Sequence, residues 1–230
     1  MTEIPFLGLI NNVAMLLALG VLYGLLQHRS DHLYWQIIRG VCFGLIGIGV
    51  MMNPWQLAPG VIFDTRSILL SVGGLFLGTV STLVALVITG VYRLFLGGSG
   101  AMTGIGVLVT SGFLGLLWVR LRKRPAYLLD GWELYLFGFV VHIGMLLWML
   151  TLPAPVNLQV LQTITLPVLL IFPVATVLLG KLLAGKELQF LDRLAVDKSE
   201  RQLQRLVEVS PVPLVILQGN RDFVFINCKF

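Results

Sequence analysis

Six stretches of mostly apolar residues alternate with short polar segments along the first 180 positions, at roughly 6–26, 36–53, 67–90, 101–119, 132–151 and 158–180. A bilayer core of ~30 Å takes about 20 apolar residues as one helix, so each stretch predicts a membrane-spanning helix. Gly40, Gly44, Gly47 and Gly49 in the second stretch, and Gly73, Gly74 and Gly78 in the third, predict close helix packing. Small residues about one turn apart let backbones approach. Pro167 and Pro173 predict a kink in the sixth stretch, because each removes a backbone donor.

After Gly180 the pattern changes. Residues 181–196 read as an amphipathic continuation with Leu183, Leu188, Leu191 and Leu194 on related faces, interrupted at Asp197-Lys198-Ser199. Ser199-Glu-Arg-Gln202 then fits a capping box opening a second short helix. Helices this short are marginal alone in water, so a homodimer partner or the membrane surface is expected to hold them. Ser210-Pro-Val-Pro213 breaks the helix. Leu214–Gln218 and Phe223–Asn227 read as two strands about a Gly219-Asn220 turn.

Composition sharpens this into a membrane protein. Mean hydropathy is +0.92 and only 12% of residues are charged, against roughly 25% in soluble domains. The net charge is +5, but the basic residues flank apolar spans, whereas nucleic-acid binding calls for a basic stripe with interleaved aromatics. The run Arg120-Leu-Arg-Lys-Arg124 marks a cytoplasmic connection. Six alternating spans then put both termini in the cytoplasm, with the 27–35 loop and Arg93 facing outward. Cys42 and Cys228 form no disulfide framework, and His28, His32 and His142 lack companions at metal-ligand spacing. His142 reads as a packed, hydrogen-bonded histidine. Residues 6–26 lack a basic n-region and a cleavage pattern, so they read as a retained helix.

Against so few charges, Asp64, Arg66 and Arg93 are the candidate chemistry. An ion near hydrocarbon costs ~2.5–3.5 kcal/mol or more. A guanidinium presents a planar fork that suits a carboxylate. One reading has Arg93 hold a small carboxylate, helped by backbone N–H groups of Gly97, Gly98 and Gly100 at the next helix start and by the Thr103 hydroxyl. The alternatives are interfacial snorkelling for Arg93, a tight turn for Gly97–Gly100, and a local ion pair or helix cap for Asp64 and Arg66. Arg66 and Arg93 are 27 residues apart, about 40 Å on one unbroken helix. They share a ligand only if the chain breaks or re-enters, and Gly73-Gly74 is the expected place.

The run Phe63-Asp64-Thr65-Arg66-Ser67, then Gly74-Leu-Phe-Leu-Gly78, Tyr92-Arg93 and Gly97-Gly98-Ser99-Gly100, resembles the membrane receptor region of LytS-type sensor proteins over roughly residues 10–180. Ser210-Pro-Val-Pro-Leu214 with Gly219-Asn-Arg-Asp222 and Phe225-Ile-Asn227 resembles the opening of a PAS domain. The resemblance implies an all-α polytopic membrane protein of about six helices, similar in fold to the substrate-binding S components of energy-coupling-factor transporters. It implies a transmembrane sensor domain at 1–180, a cytoplasmic signalling helix at 181–209 and the start of an incomplete PAS domain at 210–230. It further implies a bacterial inner-membrane input module, joined in the family to a histidine kinase of a two-component phosphorelay or to a cyclic-di-GMP enzyme, with roles in cell-wall organisation or uptake of small carboxylates. No kinase, cyclase or phosphodiesterase sequence precedes Phe230, so no catalytic activity is expected of these residues, and no cofactor.

Sensory input is therefore the leading expectation, and a substrate-binding membrane subunit of a transporter is the alternative. An integral membrane enzyme is disfavoured. No Ser/His pair, His-Glu-x-x-His run or paired carboxylates occur in the spans.

Overall fold

The computed structural model describes residues 5–25, 32–52, 54–58, 61–209, 215–217 and 223–226. The chain divides into two compact units, Met1–Gly185 and Lys186–Phe230.

The first unit is a helical bundle of α1 (Pro5–Leu25), α2 (Leu33–Met51), α3 (Arg66–Phe76), α4 (Gly78–Leu96), α5 (Ala101–Arg122), α6 (Gly131–Met149) and the first part of α7 (Val156–Val209). A short antiparallel hairpin, β1 (Trp55–Ala58) and β2 (Val61–Phe63), joins α2 to α3. By length and composition α2, α4, α5, α6 and α7 can each cross a membrane. The 21 residues of α1 contain no Asp, Glu, Lys or Arg and match the same length.

The third expected span is not one helix. It breaks at Leu77-Gly78 into α3, 11 residues long, and α4, 19 residues long. Gly78 adopts φ +79°, the left-handed conformation that glycine enters without a Cβ penalty and that commonly ends helices. The expected break at Gly73-Gly74 is corrected by four residues, for a packing reason. A Cβ on Gly73 would lie 2.8 Å from the Phe43 ring, and one on Gly74 would lie 2.7 Å from the Gly112 carbonyl oxygen. Both glycines thus stay helical and admit neighbours. Ten of the 11 residues of α3 are buried, as a short helix enclosed by others must be. Ile68, Leu69, Leu70 and Val72 join Phe43, Leu108, Ile164 and Phe172 in the main core cluster.

Splitting that span changes the parity of the bundle. Gln36 at the start of α2 accepts the Ser81 hydroxyl through its carbonyl, 2.8 Å, and Arg120 near the end of α5 donates to Thr79, 3.2 Å. Arg122 bonds Glu133 at the start of α6, and Lys181 reaches the Leu129 carbonyl at 3.0 Å. These contacts define one basic end of the bundle. At the other end Asn12 bonds Val50 and Thr65, and Thr103 bonds Thr151. Seven segments therefore alternate. α1 starts at the end carrying Arg66 and Arg93, while α7 leaves the bundle toward the basic end. The connection after α1, expected to face outward, falls largely on residues 26–31, which lie outside the described residues.

Helix α7 runs without interruption for 54 residues, through Pro167 and Pro173 and through Asp197-Lys198-Ser199. The expected break and capping box at 197–202 are corrected. From Lys186 to Val209 there is no glycine or proline, and each polar residue costs a helix interior at most about 0.7 kcal/mol, less than a fresh nucleation. In the second unit, β3 (Val215–Leu217) pairs antiparallel with β4 (Phe223–Ile226). The two strands fall where the sequence places them. The expected turn at Gly219-Asn220 lies outside the described residues.

Two measurements check this bundle. A Cβ on Gly115 would overlap the Ser71 carbonyl oxygen, whereas one on Gly90 meets nothing within 4 Å. Gly115→Ala should lower the melting temperature of the detergent-solubilised protein by the equivalent of ~1–3 kcal/mol of overpacking. Gly90→Ala should be neutral or stabilising by up to ~1 kcal/mol; equal losses would contradict the α3–α5 contact. In a cysteine-free background, Ser99→Cys should react with an impermeant label from the same membrane face as an N-terminal tag. Lys123→Cys should react from the opposite face.

Candidate functional site

The site begins with the β1–β2 hairpin, which returns the chain from the end of α2 to the start of α3. Asn12 of α1 fixes the landing point: its Oδ1 accepts the Thr65 backbone N–H at 2.8 Å and the Thr65 hydroxyl at 2.7 Å. Asp64 and Arg66 on either side are thereby held in place. Asp64 Oδ1 accepts the Arg66 backbone N–H at 3.0 Å and pairs with Arg66 Nε at 3.2 Å. It caps the first turn of α3, where an anion also complements the helix dipole, and neutralises the guanidinium at that turn. Arg66 Nη1 reaches the Met51 sulfur at 3.1 Å.

The α3–α4 reversal brings the last turn of α4 back to this level. Arg93 is only 1% exposed, so it does not snorkel to the interface. Its Nη1 donates to the Gly97 carbonyl at 2.6 Å. A Cβ placed on Gly104 of α5 would lie 2.7 Å from Arg93 Nε and 3.4 Å from Arg66 Nη2. Both guanidinium groups thus converge over the bare backbone of one glycine. Phe63, Asp64, Arg66, Ser67, Gly100, Thr103, Gly104, Val107, Met145, Met149 and Leu152 line a pocket there, with a cavity volume of about 20 Å³. That is room for a water-sized occupant.

Two guanidinium groups and one carboxylate leave the cluster with one net positive charge. Asp64 is fully buried as a side chain, and its Oδ2 has no hydrogen-bond partner. Beneath the pocket, His142 Nδ1 bonds the Gly138 carbonyl at 2.5 Å and Nε2 meets the Ser67 hydroxyl at 3.3 Å. With Nδ1 donating to a carbonyl, Nε2 is the acceptor and Ser67 the donor. The ring also packs edge-on against Phe172 of α7, with centroids 5.0 Å apart. His142 is thus the packed, hydrogen-bonded residue that its sequence position indicates.

Gly97 N–H donates to Leu94 and its carbonyl faces Arg93. Gly97 and Gly98 have φ +64° and +91°, so the chain turns there in a way other residues resist. Gly98 is exposed, whereas Gly100 is buried and lines the pocket. Thr103 Oγ1 lies 2.8 Å from Thr151 Oγ1, and Thr151 donates to the Trp148 carbonyl at 2.8 Å. Thr103 therefore donates to Thr151 and offers only lone pairs to the pocket. Sequence reasoning did not reach Asn12, Gly104 or the methionines, and it met Thr65 and Ser67 only as members of the Phe63–Ser67 run. Asn12, a polar residue amid an apolar helix, carried a usable signal; the methionines carried none. Pro59-Gly60 between two apolar runs is a turn signal for the β1–β2 hairpin.

Gly104→Ala should displace the Arg93 side chain, because the new Cβ falls within 2.7 Å of Nε. The expected outcome is a destabilisation of ~1–3 kcal/mol, seen as a lowered melting temperature. Gly112→Ala, whose Cβ would make ordinary 3.4 Å contact with Leu86, should cost less.

No curated protein and no solved structure matches the chain. The family model described as "5TMR of 5TMR-LYT" matches residues 19–186, from the second half of α1 to the point where α7 leaves the bundle. It covers the split third span and every residue of the pocket. The chain therefore belongs to the 5TMR-LYT family, the membrane sensor module of LytS-type histidine kinases.

Proposed function

We propose that the bundle is a receptor for a small anion, a carboxylate in the first place, and that occupancy is passed along α7 to a cytoplasmic effector. One observation carries this reading: Arg66 and Asp64 line a buried pocket, and Arg93 lies beside it against Gly104, so that the three charges together carry one net positive charge. A buried guanidinium pair is expensive to keep near hydrocarbon. An anion in contact with both would neutralise the cluster and gain charge-assisted hydrogen bonds in a partly dry site.

Orientation follows the charges. Arg120, Arg122, Lys123, Arg124 and Lys181 all belong to the basic end, and segments 97–100 and 151–157 at the pocket end contain no Lys or Arg. Positive residues favour the cytoplasmic side, so the pocket opens outward, away from the cytoplasm, in the bacterial inner membrane. Ligand binding shifts a pre-existing equilibrium only by its differential affinity for two states. A ligand that prefers one arrangement of the bundle is thereby read out as a change in population.

The reach of α7 favours signalling over transport. Its 54 residues exceed what a bilayer span needs, and a transport subunit has no use for the excess. Output chemistry, as phosphotransfer or cyclic-di-GMP turnover, belongs to an effector domain, for which the β3–β4 hairpin is the start of a PAS-type connection. A homodimer through the exposed face of α7 would carry the signal between two copies.

Isothermal titration of the full chain in detergent with small carboxylates, acetate among them, tests the binding step. At least one acid should bind at millimolar concentration or better. Arg93→Ala should weaken it by about tenfold or more, and Arg93→Lys should recover only part, since it restores charge without the fork. Affinity unchanged in Arg93→Ala would exclude the anion reading.

A further inference from the structure

The pocket carries a second requirement beside a negative ligand, and it rests on the anion reading above. Asp64 Oδ1 already serves both the Arg66 backbone N–H and Arg66 Nε. Oδ2 of the same carboxylate is buried without a hydrogen-bond partner. Asp64 lines the pocket. An ionised oxygen left unmet in a buried site loses its water without replacement, so such groups are almost always satisfied in native structures. The unmet valence is an acceptor, and what it lacks is a donor.

Among the described residues none meets it: Arg66, the one guanidinium in the lining, contacts Oδ1. Thr103 gives its hydroxyl hydrogen to Thr151, and Ser67 gives its own to His142. Phe63, Val107, Met145, Met149 and Leu152 have no side-chain donor. We infer that the ligand itself donates to Asp64, and that it is a small 2-hydroxy acid: its carboxylate lies against the Arg93 and Arg66 guanidinium groups and its hydroxyl points at Asp64 Oδ2.

Three observations narrow the class. Asp64 and Arg66 are in direct contact, with Oδ1 3.2 Å from Nε, so a ligand that meets both carries its donor close to the carboxylate, on the adjacent carbon. The single positive charge of the cluster is balanced by a monoanion, whereas a zwitterionic amino acid brings no net charge. An ammonium group would also lie beside Arg66 and would need three acceptors where the pocket presents one carboxylate oxygen and an otherwise mostly apolar or sulfur lining. A hydroxyl needs only one.

The test compares glycolate, acetate and glycine by isothermal titration against the full chain in detergent. Glycolate should bind about tenfold or more tightly than acetate, which has the same carboxylate and no donor, and more tightly than glycine. Asp64→Asn replaces the acceptor with a donor in half of the amide orientations and removes the charge; it should bring the glycolate-to-acetate ratio to within about twofold. If Asp64→Asn does not fold, the ratio on the unsubstituted chain decides alone. Equal binding of acetate and glycolate, or tighter binding of glycine, would overturn the hydroxy-acid inference and leave the anion reading standing. A normal ratio in Asp64→Asn would overturn it as well. Binding of none of the three would overturn both.

Discussion

A guanidinium group inside a membrane protein must be answered by something, and in this bundle the answer is a single carboxylate. Asp64 holds Arg66 through its side chain and its backbone at once, and so ties the first turn of α3 to the charge that turn carries. Removing one member of such a buried pair typically costs 3–5 kcal/mol, because the survivor is left uncompensated. The rest of the site is organised around this contact. Asn12 pins Thr65 between the two charged residues, and the bare Gly104 backbone lets Arg93 lie beside the pair.

The half-length helix makes that meeting possible. Had residues 66–93 formed one rod, Arg66 and Arg93 would sit on opposite sides of the bilayer. Reversal at Gly78 folds the rod back. The fold-back requires α3 to be enclosed on every side, and the small residues Gly73, Gly74 and Gly115 provide the space against α2 and α5. Close packing in turn makes α3 a poor candidate for gradual deformation, since packed interfaces move between discrete arrangements. Pocket and core therefore share an element. Ser67 sits one residue after Arg66 and bonds His142, whose ring packs on Phe172 of α7, so a displacement at the pocket has a continuous path of contacts to the long helix.

Much of this was legible beforehand, for identifiable reasons. Apolar length fixes where helices fall, because lipid leaves the backbone few other ways to satisfy its hydrogen bonds. The boundaries of α1, α2, α5 and α6 accordingly lie within a few residues of the apolar stretches. Charges scarce enough to stand out marked Asp64, Arg66 and Arg93. What misled the reading was continuity. Residues 67–90 hold no charged residue, and nothing in hydropathy distinguishes a crossing from a hairpin of two helices. The converse error occurred at Asp197-Lys198-Ser199, where polar residues suggested a stop that an exposed helix does not need.

The sequence by itself determined that the chain is a multi-span membrane protein, which residues are its costly charges, and that the 120–124 run is its basic end. These depend on composition and on local spacing, which a linear chain carries intact. Only the tertiary structure decided that the Arg66 and Arg93 side chains both approach Gly104, that residues 66–96 fold as two helices, and that one oxygen of Asp64 is left without a hydrogen bond. Each of those depends on a reversal at one left-handed glycine and on distances between residues tens of positions apart, which are properties of packing and not of any segment alone.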